Sequence, residues 1–300
     1  MIASLYICAK SFQHNGVDDE KGVWCKLLSL KKLIDEVDRT FNEFYLNNTD
    51  FLSVRLLPDG VTIGDIIFKR RKINSDYFYL FLRLFNYCHK NNLSIEDLIE
   101  YLTLEDENNC NAIVVLNYID ELPRHKQILH DYASWLVFRR HFLSLYPKDS
   151  DYFIEECRRY FPNLFFHHRN KETITALLSD CAKKIVFYLS ELNDKFERAK
   201  TDPYNRKETL KKFNTICSFD QKASDEGSSN LKKKSKKKKK DSFSFFNIER
   251  NEEEICCDLH LKMLKNDFGK ISTDRRIYFH EGKLSIESGK ILIGHIGSHL

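Results

Sequence analysis

Glycine and proline are scarce in this 300-residue chain, ten and five residues respectively. That argues against an all-β fold built on many tight turns. No apolar run approaches the roughly 20 residues needed to span a bilayer, so no membrane partner is expected. The opening MIASLYICAKSFQH lacks the basic and long apolar regions of a secretory leader, and a cytoplasmic location is expected. The nine cysteines are scattered, and no two are spaced Cys-x-x-Cys. This pattern reads as reduced, buried thiols and not as a disulfide framework or a zinc site. A glycine-rich phosphate loop, a serine nucleophile elbow and a zinc-protease motif are all missing, which ranks NTPase, serine-hydrolase and metalloprotease readings low. No metal or cofactor is expected.

What is present suits a folded protein. The chain is 42% hydrophobic and 31% charged, with 23 Phe and 14 Tyr. It is long enough to bury a core without staples. Its formal charge of +4 is misleading, because Lys232, Lys233, Lys234, Lys236, Lys237, Lys238, Lys239 and Lys240 form one tract. Without them the remainder is mildly acidic. The tract can grip nucleic-acid phosphates by displacing counterions. It holds no arginine or aromatic residue to stack on bases, and the competing reading is a solvated, self-repelling tether.

Periodicity divides the chain. Leu27, Leu28, Leu30, Leu33, Ile34, Val37, Phe41, Phe44 and Tyr45 recur at helical spacing. Tyr77–Cys88 reads as a buried aromatic helix, and Ser94 with Asp97 reads as a capping box. Ile113–Glu121 reads as helical, and Pro123 suits the first turn of a further helix over Arg124–Leu145. Ile174, Leu177, Leu178, Cys181, Ile185, Leu189 and Leu192 form the longest apolar stripe. Apolar content falls sharply near 219, and after 250 short alternating runs predict strands over 255–263, 275–280 and 290–296. The expected fold class is α+β: a mainly helical body over 1–218, a Lys-rich flexible linker over 219–250, and a small antiparallel β-rich module over 251–300.

Two patterns carry chemistry. Arg124-His125-Lys126-Gln127-Ile128-Leu129-His130 places an arginine six residues before a histidine and resembles the Rx4–6H motif of HEPN ribonucleases. The resemblance implies that Arg124 neutralises a scissile phosphate and His130 acts as acid or base. The bland reading is a solvated first turn after Pro123. In the terminal segment, His260-Leu261-Lys262, Arg275-Arg276-Ile277-Tyr278-Phe279 and Ile291-Leu292-Ile293-Gly294-His295 distantly resemble the C-terminal half of the RelE/ParE toxin superfamily over about 45 residues. That resemblance implies a bacterial toxin or phage-defence effector acting on RNA or ribonucleoprotein, with an antitoxin or defence-system protein as partner.

The residue types fit such chemistry independently. Metal-free RNA cleavage needs a base for the 2′-hydroxyl, cations at the phosphate and an acid for the leaving oxygen. Strand alternation puts Arg276, Tyr278 and His280 on one face, opposite Ile277 and Phe279. The expected catalytic set is Arg276, Tyr278, His280 and His295, with Lys262, Arg275 and the lysine tract holding nucleic acid. The plain alternative is a half-buried strand with a solvated polar face. A third reading makes the chain a non-enzymatic interaction protein whose helices hold a partner and whose tract holds nucleic acid.

Overall fold

The apolar run at the start of the chain forms a strand, β1 (Ala3–Ile7). It is the centre of a sheet whose partners are β2 (Asn42–Leu46), β3 (His89–Lys90), β4 (Asn111–Val114) and β5 (Ile128–Leu129). The order is β3-β2-β1-β4-β5, and every pair is parallel. Parallel neighbours need crossover connections, and helices supply them up to β4, while β4 reaches β5 through a segment with no helix among the described residues. The helices are α1 (Glu20–Glu36), α2 (Asn48–Ser53), α3 (Ile63–Phe68), α4 (Ser75–Tyr87) and α5 (Ile95–Thr103), followed by α6 (Tyr132–Leu145) after β5. In this computed structural model the described residues are 1–69, 75–103, 106, 108–123, 125–219, 221–225, 241–270 and 275–300.

The protein is α+β, with a helix-rich N-terminal body and mainly antiparallel strands toward the C-terminus. It divides into two compact units, Met1–Phe142 and Leu143–Leu300. In the first, α1 begins at Asp19, whose carboxylate accepts from the Gly22 N–H, and buries Val23, Leu27, Leu30, Leu33 and Ile34. The periodic pattern runs past Phe41, but the helix stops at Glu36, and Phe44 is a buried residue of β2. The Ser94–Asp97 capping box forms as expected, with both reciprocal bonds. Residues 111–114 are a fully buried strand where a helix was expected. The segment after Pro123 is turn and strand, and the helix begins only at Tyr132.

The second unit holds α7 (Ser150–Tyr160), β6 (Leu164–Phe166), the single-turn α8 (Asn170–Thr173), α9 (Leu178–Ala199) and α10 (Arg206–Ile216). Its strands continue with β7 (Ser224–Asp225), β8 (Ser242–Phe246), β9 (Glu252–Cys256), β10 (Leu259–Lys262), β11 (Arg275–His280) and β12 (Ile291–Ser298). The sheet order is β6-β12-β11-β10-β7; β6 runs parallel to β12, and the other pairs are antiparallel. Because β6 comes from the helical region, the C-terminal strands share a unit with the helices from α7 onward. The division at 142 therefore falls earlier than the composition change near 219. Part of the expected linker is ordered: β8 pairs with β9 as a hairpin, and its Phe243 and Phe245 are buried. The lysine tract lies outside the described residues.

The two faces of this sheet are covered differently. Phe279 meets Phe196 of α9 at 5.5 Å between ring centres, and Phe196 meets Phe213 of α10 at 5.1 Å. The stripe expected on α9 is buried throughout. On the other face, Phe243, Phe245, Ile255 and Cys257 from the hairpin segment cluster with Tyr278, Ile286 and Leu292.

Candidate functional site

The strand register sets the site. Tyr278 of β11 stands opposite His260 of β10 and opposite His295 of β12. One row higher, Arg276 stands opposite Lys262 and Gly297. Directly opposed residues of an antiparallel pair share a face, so the Lys262–Arg276 row and the His260–Tyr278–His295 row lie on one side. The rings are adjacent, at 5.6 Å for His260–Tyr278 and 5.9 Å for Tyr278–His295. Ser224 of β7 extends the row, with its Oγ 3.0 Å from His260 Nε2. The register shifts between Tyr278 and Phe279, leaving Gly294 as the extra residue of β12.

The Arg276 guanidinium donates to the Tyr278 hydroxyl at 3.3 Å, and the Leu300 N–H reaches the same oxygen at 3.4 Å. His295 Nε2 bonds the Ser298 carbonyl at 2.9 Å, so that nitrogen carries the proton. Its Nδ1 is buried and has no hydrogen-bond partner among the described residues. Burial pushes the His295 pKa down, which favours the neutral ring. The two glycines beside it have local occupants. A Cβ at Gly294 would lie 2.5 Å from the Phe243 ring, and one at Gly297 would lie 2.6 Å from the His295 ring itself. The close approach that these glycines allow is made by the hairpin and by His295.

The other expected residues are placed elsewhere. His280 is on the same sheet face but at another cluster, with its Nδ1 accepting from the Gly282 N–H at 3.2 Å. Burial lowers its pKa as well. Beside it, Arg206 donates to both Glu281 oxygens at 2.8 and 2.9 Å and to both Asp258 oxygens at 3.0 and 3.1 Å. Tyr204 adds a bond to Glu281 at 3.0 Å. Glu281 is thereby committed to a structural network. Arg275 turns to the helical side, where it meets Asp180 at 3.1 Å and Cys181 Sγ at 2.7 Å. In the first unit, Arg124 lies outside the described residues, and His130 is an exposed residue that follows β5. Among the described residues no group of three or more His, Cys, Asp or Glu side chains gathers to hold a metal ion. No described helix is long and apolar enough to cross a membrane.

One titratable residue near β12 has no counterpart in the sequence reading. His167 follows β6, and its backbone N–H bonds the Ile293 carbonyl at 3.0 Å. Its ring packs against Phe243 and Phe245 at 5.4 and 5.2 Å. Burial, reinforced by His168, pushes its pKa down to about 4. The unfolded chain therefore takes up a proton near pH 6.5 that the folded chain refuses until about pH 4. That contribution to stability is complete above about pH 6.5 and is lost progressively as the pH falls toward 4. Urea midpoints should drop between pH 7.5 and 5, and His167→Phe should shrink the drop. An identical drop in the variant would contradict this assignment.

No protein-family model, curated protein or solved structure matches the chain.

Proposed function

We propose that the protein is an RNA-targeting effector, of toxin or phage-defence type, that cleaves RNA without a metal at the Arg276–Tyr278–His295 corner of the C-terminal sheet. The observation that carries this reading is the pairing of two cations, Lys262 and Arg276, with a buried neutral histidine whose Nδ1 is unpartnered among the described residues. In the proposed step, His295 takes the 2′-hydroxyl proton and the 2′-oxygen attacks the adjacent phosphorus. The bond from phosphorus to the 5′-oxygen breaks, and Tyr278 returns a proton to that oxygen. Arg276 and Lys262 offset the charge on the phosphoryl oxygens. Arg276 also polarises the Tyr278 hydroxyl through its hydrogen bond. Tyr278 and His295 are buried, and Leu300 packs against the cluster that holds Tyr278, so in this reading Leu300 moves aside for substrate to enter.

His280 belongs to the Arg206 network in this reading and acts on the site only through the strand. Arg276→Ala and His295→Ala should each lower RNA cleavage on the order of a hundredfold, a typical cost for removing a charge-stabilising or proton-transfer group. Arg276 is partly exposed, so its variant should keep a melting temperature near wild type. Cleavage that survives both changes would reject the site. Binding of RNA with no turnover by the wild type would favour the interaction-protein reading.

A further inference from the structure

The groups proposed to cut RNA are closed off from solvent. Tyr278 is fully buried and His295 nearly so. The β8–β9 hairpin lies against them: its Phe243, Phe245 and Ile255 cluster with Tyr278 and with Leu292 of β12. The contact beside His295 is tight, because a Cβ at Gly294 would be 2.5 Å from the Phe243 ring and 2.8 Å from the Cys257 sulfur. Gly294 is not at positive φ, so its backbone does not require glycine. The missing side chain makes room for the hairpin.

The hairpin is not a strand pair of the sheet that it covers. β8 and β9 form a two-stranded sheet of their own, and such a hairpin is marginally stable by itself. Side chains hold it down. Phe245 meets Phe165 and His167 at 6.0 and 5.2 Å between ring centres, and Phe243 meets His167 at 5.4 Å. At the tip, Glu253 pairs with Lys283 and accepts from the Ser285 hydroxyl at 3.2 Å. The Ile248 N–H bonds the Ser285 carbonyl at 2.8 Å. An element fastened in this way opens at lower cost than the strands of a core sheet. Its exposed surface is acidic, with Glu249, Glu252 and Glu254 against Arg250. The sheet face that it packs on carries the Lys262–Arg276 row. Closed, the hairpin buries the reacting groups and turns carboxylates toward an approaching phosphate backbone.

We infer that the β8–β9 hairpin is an autoinhibitory cover that keeps RNA from Tyr278 and His295 until it swings away, an inference that rests on the RNA-cleaving reading of that corner. Cleavage is then reduced by the fraction of molecules whose hairpin is open. Two readouts separate the cover from the chemistry. Full-length protein is treated with diethyl pyrocarbonate in the absence of RNA, and modification of His295 is followed by mass spectrometry against the exposed His130. RNA cleavage is measured in parallel. In the wild type, His295 should react about tenfold or more slowly than His130. Phe245→Ala removes a buried ring from the contact and should raise both His295 modification and RNA cleavage about tenfold or more. Glu253→Gln, at a partly exposed ion pair that the fold does not depend on, should raise both about threefold. Equal reactivity of His295 and His130 in the wild type, or no rise in modification with either variant, would overturn the cover. Modification that rises while cleavage stays at the wild-type rate would overturn its autoinhibitory role. Modification that rises with no RNA cleavage by any form would uphold the cover and reject the RNA-cleaving reading instead.

Discussion

Gly282→Ala should cost the second unit about 3 kcal/mol or more of stability. Gly282 sits at φ +100°, a backbone conformation that residues with a Cβ rarely adopt. An added Cβ would lie 2.2 Å from the Gly289 carbonyl oxygen and 2.9 Å from that of Lys290. Both obstacles are backbone, so no side chain can swing away. Overpacking of roughly 1–3 kcal/mol then adds to a conformational penalty of similar size. Gly269 supplies the control. Its φ is +76°, yet among the described residues nothing lies within 4 Å of where its Cβ would be. Gly269→Ala should therefore cost only about 1–2 kcal/mol. Urea unfolding of the two variants checks this difference, and equal losses would show that the turn relaxes around the new methyl.

Arg206→Ala should destabilise the second unit by about 3 kcal/mol. It removes the only partner with two bonds to Glu281 and two to Asp258 among the described residues. The Glu281 side chain is 12% exposed, so its charge would be left in a poorly solvated place. Breaking a buried pair by removing one member costs about 3–5 kcal/mol, and the partly exposed Asp258 side brings the expectation here to about 3. The pH dependence identifies the cause. Burial pushes the Glu281 carboxyl up, but a backbone hydrogen bond, His280 and Arg206 together hold it below the usual range. A lowered carboxyl contributes stability above its unfolded pKa and loses it as pH falls through the folded value. The gap between wild type and Arg206→Ala should accordingly be widest near pH 7 and narrow below about pH 4.5. Arg206→Ala with Glu281→Gln should recover part of the loss at pH 7. A gap that does not change with pH would mean that lost packing of the arginine stem dominates.

The amphipathic helices were legible in the sequence because one face repeats at the helical period. The stripe of α9 is buried as its spacing predicts, and so is that of α1 except for Leu28, which is exposed. The parallel sheet of the first unit was not legible. Its strands are two to five residues long, and β4 is buried on both faces, so it shows no alternation. A short apolar run of that kind cannot be told from a helix by periodicity. Phe41 and Phe44 kept the helical phase across a loop and a strand for the same reason. At the candidate site, alternation correctly paired Arg276 with Tyr278, because nothing interrupts β11 between them. The neighbourhood of His295 depended on the extra residue in β12 and on pairing across the sheet, which no local pattern records. His260 reached the row only through its register with Tyr278. Glu281 carried no sign of Arg206, which is 75 residues away in the chain.

The ends of the RNA fragments decide whether the corner of the C-terminal sheet cleaves RNA by 2′-oxygen attack. Full-length protein is incubated with RNA in excess EDTA, and the 3′ ends of the products are identified by mass spectrometry. Attack by the 2′-oxygen with departure of the 5′-oxygen predicts fragments ending in 2′,3′-cyclic phosphate and 5′-hydroxyl, formed at undiminished rate in EDTA and about a hundredfold more slowly by Arg276→Ala. Intact RNA, cleavage abolished by EDTA, or fragments bearing 5′-phosphate would rule out metal-free cleavage at this corner.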